Sequence, residues 1–193
     1  MTNATSRAPV AVQIVALLAL YALATLVAAL VFVALMRAGV FGFLSVMFYR
    51  GLVGLVATGA LVLALMLWAA RGAARFDLGA RDAVGATLVA LALNVAFFTL
   101  GPVTVDRSIS VFMLSRFEKA EKPLDERAVR DAFVATYVDD WRQMGRRLAE
   151  QETSGNLERA GEGWRITPQG RAFMESARAM SRWFGGDPRF VGR

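Results

Sequence analysis

The stretch from Gly101 to Leu114 places an acid and a base side by side between two apolar runs. Asp106 has a carboxylate suited to general acid or base work, and Arg107 offers a planar fork of donors to a phosphate. Further candidates for an interface or anionic-ligand site are Arg50, Asn94 and Thr104. With Arg50 and Arg107 at one membrane boundary, the two guanidiniums would clamp a phosphate-bearing lipid. The favoured alternative is that Asp106 and Arg107 end a membrane span, with Arg107 as a positively charged anchor.

The rest of the chain offers few other catalytic groups. Its 193 residues include no cysteine and no histidine, which excludes thiol nucleophiles, imidazole bases and the usual zinc ligands. Neither a nucleophile elbow nor a phosphate-binding glycine loop is found, and no carboxylates have metal-ligand spacing. We therefore predict no catalytic residues, no metal and no cofactor, and the sequence favours a function other than catalysis.

Three uncharged apolar runs must position the boundary residues. A helix of about 20 residues crosses the hydrocarbon core, and each run is long enough. The predicted spans are residues 10–36, 51–70 and 83–105. Glycines in the second run suit close packing against a neighbouring helix. These glycines are Gly51, Gly54 and Gly59.

Two features complete the predicted membrane domain of residues 1–107. Residues 38–49 are too few to span and too apolar for a simple loop, so they are interpreted as interfacial, re-entrant or an extension of the second helix. Asn94 is the strongly polar residue of the third run, and such side chains usually face protein or a cavity. Pro102 is expected to bend or loosen the end of that helix.

The distribution of basic residues predicts the orientation. Four arginines border one side, whereas six basic residues lie near the span ends on the other. They are Arg7, Arg71, Arg75 and Arg81 against Arg37, Arg50, Arg107, Arg116, Lys119 and Lys122. The positive-inside rule then places the carboxy-terminal domain in the cytoplasm of a protein integral to the plasma (inner) membrane.

From residue 108 the apolar pattern changes to that of amphipathic helices. The first helix carries Ile109, Phe112, Met113 and Phe117 on one face. Asp125 is predicted to cap the second. The third is expected to begin at Asp139 and Asp140, whose charges suit a helix amino terminus.

A two-stranded hairpin and a last helix follow. The strands are predicted near Leu157 and at residues 164–166, with a glycine-rich turn between them. Thr167 and Pro168 are expected to start the last helix, and residues 185–193 form a tail. Aromatic and methionine side chains of the domain are interpreted as its small core. They are Phe112, Phe133, Trp141, Met144, Phe173 and Phe184.

The segment from Met144 to Phe173, with its exit Ile166-Thr-Pro-Gln-Gly-Arg171, resembles MarR-like and related winged helix-turn-helix regulators. The resemblance covers residues 108–184. It implies that the third helix, roughly residues 140–152, enters the major groove of DNA and that the wing touches the backbone. The nucleic-acid candidates that it implies are Arg142, Gln143, Arg146, Arg147, Arg159 and Arg165.

Acidic residues in the same region leave little net attraction to DNA, so nucleic acid is not the favoured partner. The expected fold is mainly α: three transmembrane helices followed by a small winged-helix-like α+β domain. We expect an accessory or regulatory subunit that contacts membrane lipids and binds a larger membrane protein or complex. The alternatives are a membrane-tethered DNA-binding regulator and a small enzyme or binding protein for a phosphate-bearing lipid.

Overall fold

The computed structural model describes residues 8–44, 46–73 and 76–192. The chain is mainly helical and divides into two compact units, Met1–Ser108 and Ile109–Arg193.

The first unit consists of three long helices. They are α1 (Val10–Arg37), α2 (Met47–Gly72) and α3 (Ala80–Phe98). A π-helical turn, Thr99–Val103, and a short helix α4, Thr104–Arg107, prolong α3 without a break. The resulting helices Val10–Arg37, Met47–Gly72 and Ala80–Arg107 are long and apolar enough to cross a membrane. The prediction of three such helices is confirmed.

The segment between the first two helices is divided between turn and helix. Residues 38–43 form turns, whereas Met47 to Tyr49 already belong to α2. The last three residues of the segment 38–49 are therefore an extension of the second helix. Ser45 lies outside the described residues.

Small residues allow the three helices to pack closely. Ala24 and Ala28 of α1 and Ala86 and Ala90 of α3 are fully buried in one cluster. On α2, an added side chain at Gly51 would overlap the Phe98 ring. One at Gly54 would lie 3.2 Å from Phe32, and one at Gly59 would lie 2.8 Å from Leu91. The predicted close-packing role of these glycines is confirmed, and their neighbours belong to the same bundle.

The π-helical turn accommodates Pro102. Proline has no N–H to donate and its ring collides with the preceding turn of an α-helix, so a wider turn relieves both problems. The hydroxyl of Thr104 donates to the carbonyl oxygen of Thr99 at 2.8 Å. The helix thus continues to Arg107 past its proline.

The second unit contains four helices, a hairpin and a further π-helical segment. In chain order they are α5 (Ile109–Lys119), α6 (Glu126–Ala132), the π-helical segment Phe133–Asp140, α7 (Gln143–Thr153), β1 (Leu157–Ala160), β2 (Gly163–Ile166), α8 (Pro168–Phe184) and a 3₁₀ turn, Pro188–Val191. The side chain of Asp125 accepts from the Ala128 N–H at 2.8 Å, which confirms the predicted cap of α6.

The predicted start of the third helix at Asp139 and Asp140 is wrong. The π-helical segment continues through both residues, and the N–H of Trp141 donates to the Thr136 carbonyl at 2.8 Å. Arg142 then adopts a left-handed conformation with φ 49°, which separates the two helices. The helix α7 begins after it, at Gln143.

The predicted hairpin is confirmed. Strands β1 and β2 are antiparallel, with Leu157 opposite Ile166 and Ala160 opposite Gly163. Gly161, with φ +61°, occupies the two-residue turn between them, where a left-handed conformation is needed. The cap of α8 is confirmed as well, since the Gly170 N–H donates to the Thr167 hydroxyl at 3.0 Å.

The core of the second unit is an aromatic cluster around Phe112, which is 4% exposed. Its ring meets those of Phe133, Tyr137 and Trp141 edge-on at 5.8, 5.3 and 5.4 Å between centroids. In a π-helix the hydrogen bonds run from i to i+5, so side chains four residues apart approach alignment. The π-helical segment therefore brings these three aromatic residues onto the same ring.

Several residues predicted for the core are exposed instead. Met144 is 60% exposed, and two apolar residues of α8, Phe173 and Phe184, are 59% and 82% exposed. Their assignment to the core is wrong because, beyond the buried Gly170, α8 buries none of its described residues.

Candidate functional site

Arg50, which was predicted to lie at the membrane boundary, stabilises the start of α2. Its Nε and Nη2 atoms both donate to the carbonyl oxygen of Leu44, at 3.2 and 2.8 Å. This contact ties the turn before α2 to the first turn of the helix. Arg50 therefore has a structural partner within its own unit.

The structure places Arg50 and Arg107 at different heights in the bundle. Because Gly51 of α2 contacts Phe98, Arg50 is level with about residue 99 of the third helix. Arg107 follows eight residues later, about 12 Å further along the axis at 1.5 Å per residue. Asp106 is half-buried and Arg107 exposed, both in α4. This offset is between the backbone positions of Arg50 and Arg107, and the phosphate clamp formed by their side chains stays a prediction.

Two polar side chains lie buried among the helices of the bundle. Asn94 is 3% exposed and donates from Nδ2 to the Ala90 carbonyl at 2.9 Å. Its Oδ1 atom and the hydroxyl of the fully buried Thr58 have no hydrogen-bond partner within the described residues. Asn94 faces protein, as its sequence position predicts. Thr58 was not predicted, although it follows Gly54 and Leu55 at helical spacing on the buried face of α2.

Two of the nucleic-acid candidates are paired with a buried acid. Glu150 is 5% exposed. It accepts from Arg146 Nε at 3.2 Å and from Arg147 Nη1 at 3.0 Å. The two arginines of α7 therefore share a carboxylate, and their charge is partly neutralised locally.

Arg159 of β1 also has partners in its own unit. Its guanidinium stacks over the Trp164 ring at 4.2 Å and pairs with Glu152 Oε2 at 3.3 Å. Trp164 donates from Nε1 to the same carboxylate at 3.2 Å. These contacts join the hairpin to the end of α7.

The other three candidates are dispersed. Arg142 lies in the left-handed turn before α7, and Arg165 is exposed on β2. Gln143 is the first residue of α7, and its Oε1 atom is buried without a partner in the described chain.

An apolar groove between α5 and α6 is a concave feature that the sequence does not predict. It has a volume of about 370 Å³. Its apolar lining consists of Ile109, Met113 and Phe117 on α5 and Val129 and Phe133 on the α6 side, with Glu126 and Arg130 alongside. The sequence signal for it is the four-residue spacing of the apolar residues Ile109, Met113 and Phe117 on α5. Phe112 alone of the α5 residues is buried, and this stripe borders open space.

Comparison with protein-family models, with curated proteins and with solved structures finds no match for this chain. Among the described residues, no group of three or more acidic side chains is placed to hold a metal ion. The geometry of the chain itself therefore carries the functional argument.

Proposed function

We propose that this protein is an integral membrane accessory or regulatory subunit whose second unit, a winged-helix-like domain on the cytoplasmic side, binds an amphipathic helix of a larger membrane protein. The order α5, α6, α7, hairpin, α8 supports the winged-helix assignment. The basic residues near the span ends support the cytoplasmic side.

The single observation that carries the proposal is the groove between α5 and α6. Ile109, Met113 and Phe117 are 49%, 38% and 45% exposed and follow each other at four-residue spacing. A groove between two helices with an apolar floor is the shape that receives the apolar face of a third helix. Glu126 and Arg130 beside it offer both signs of charge to the polar flank of such a helix.

The packing of the three-helix bundle supports a partner-binding site in the second unit rather than in the bundle itself. Gly51, Gly54 and Gly59, which would suit close contact with a foreign helix, are already occupied by side chains of the same bundle. The outward positions of α1 carry large residues such as Leu18 and Leu30, which match lipid chains. We therefore place the specific contact with the partner in the groove.

The experiment is photo-crosslinking of the full chain in its native membrane. A benzophenone amino acid replaces Met113 in the groove, and the matched control carries it at Glu118, an exposed position on the same helix. We expect one discrete protein adduct from Met113 that is absent from Glu118 and disappears when Phe117→Glu is added. Adducts with lipid alone, or equal adducts from both positions, would contradict the proposal.

A further inference from the structure

The helix α8 is attached to its unit through its first turn. The Thr167 hydroxyl donates to the Gly155 carbonyl at 2.6 Å, Gln169 Nε2 to the Ser154 carbonyl at 2.7 Å and Arg171 Nη1 to the Ile166 carbonyl at 3.1 Å. Gly170 is the buried residue of the described helix. In the following three turns no residue is fully buried, and Met174, Ala177, Arg178, Ala179 and Ser181 are half-buried.

Those turns expose a continuous apolar face. Phe173, Met180 and Phe184 are spaced by seven and four residues, which places them on one side of the helix, and they are 59%, 58% and 82% exposed. Beside them, Trp183 and Phe190 of the terminal turn are 79% and 87% exposed. Most helices owe their stability to packing of such a face, so this one requires a surface to cover it.

The opposite side of α8 is basic. Arg171, Arg178 and Arg182 repeat the spacing of seven and four residues, and each lies two residues before one of these apolar residues, about 160° away around the helix axis. Residues 168–192 carry four arginines and two acids, a net charge of +2. The surface that covers the apolar face is therefore expected to be negatively charged.

We propose that α8 and the 3₁₀ turn Pro188–Val191 form an amphipathic element that lies on an anionic lipid bilayer. An arginine-rich polar face opposite phenylalanine and tryptophan is the composition of helices that lie in the membrane interface. The chain also carries three helices able to span the same membrane. Apolar exposure extends sideways to Trp183 and beyond the helix to Phe190, and so broad a face fits a planar surface better than the narrow seam of a paired helix. The inference does not depend on the partner of the α5–α6 groove.

The test uses single-cysteine variants, because the chain contains no cysteine of its own. Met180→Cys on the apolar face and Arg178→Cys on the basic face, two residues earlier, each receive an environment-sensitive fluorophore. The full chain is reconstituted in vesicles of phosphatidylcholine with phosphatidylglycerol, and in parallel in phosphatidylcholine alone. A lipid-borne quencher reports contact with the acyl chains.

We expect the label at position 180 to shift to the blue and to lose its emission to the lipid quencher in the anionic vesicles. The label at position 178 should remain in water. Adding Arg171→Gln and Arg182→Gln, or raising the salt concentration, should reduce the quenching at position 180 because the attraction is electrostatic. A label at 180 that stays in water in both vesicles would overturn the proposal. So would a blue shift that ignores the lipid quencher but grows with protein density, because it would assign the face to a second copy of the chain.

Discussion

Gly51 and Phe98 are in direct contact across α2 and α3, and the Phe98 ring occupies the space that a side chain at Gly51 would need. Phe98 is 1% exposed and meets Phe32 of α1 edge-on at 5.4 Å between ring centroids. Because Gly51 has no side chain, α2 can pack against the Phe98 ring of α3, which in turn packs against Phe32 of α1. This glycine therefore sets the spacing of the three helices at that level of the bundle.

Replacing Gly51 by alanine should destabilise the bundle. The added methyl group forces the buried Phe98 ring out of its place, and overpacking of this kind costs about 1–3 kcal/mol. Thermal unfolding in detergent, followed by circular dichroism, measures the effect. The matched control is Gly72→Ala, where no atom lies within 4 Å of the new side chain. Equal stability of the two variants would contradict the contact.

Replacing Gly170 by alanine should loosen the junction between the hairpin and α8. Its new side chain would overlap the carbonyl oxygen of Asn156 and lie 2.8 Å from Ile166. We expect a loss of about 1–3 kcal/mol, although alanine normally favours a helix. Hydrogen exchange of the hairpin amides should quicken. Gly145→Ala, in open space on α7, should instead stabilise by about 0.5–1 kcal/mol.

Replacing Glu150 by glutamine should weaken α7. The change removes the charge that Arg146 and Arg147 share and leaves a buried group with poorer partners, which costs roughly 1–3 kcal/mol. Thermal unfolding of the full chain measures it. Glu118→Gln, at an exposed position of α5, provides the control and should leave the unfolding temperature unchanged. A Glu150→Gln variant as stable as the control would show that the ion pairs contribute nothing.

Acidification should loosen the terminal turn that carries Phe190. The Arg189 guanidinium and backbone N–H hold the pKa of Asp187 below its ordinary value of 3.8. Since the pKa of Asp187 is lower in the folded state, its carboxylate stabilises the turn fully above the ordinary pKa. This stabilisation is lost as the pH falls through the folded pKa. The amide signal of Arg189, followed by nuclear magnetic resonance in detergent, should move in that range. Asp187→Asn keeps an acceptor without the titration and should abolish this pH dependence.

Much of the architecture could be predicted because it rests on local patterns. The uncharged runs predict the three long helices. Gly161 predicts the hairpin turn, and Asp125 and Thr167 predict two helix starts through their side-chain acceptors. The close-packing role of Gly51 was also predictable, since a glycine inside an apolar helix has few other uses.

The errors arise where tertiary packing overrides a local pattern. Asp139 and Asp140 have the composition of a helix start, but the aromatic residues four apart favour a π-helical segment that runs through them. Phe173 and Met180 have core spacing on α8, yet spacing alone does not show whether any element lies opposite.

The π-helical turn at Pro102 also changes the rotational phase of the helix that follows it. A π-helical turn takes up one residue more than an α-helical turn, so α4 is advanced by about 100° relative to the sequence pattern of α3. A helical wheel continued from Ala83 would therefore misplace Asp106 and Arg107. The direction in which this acid–base pair points is determined by a proline four residues before it.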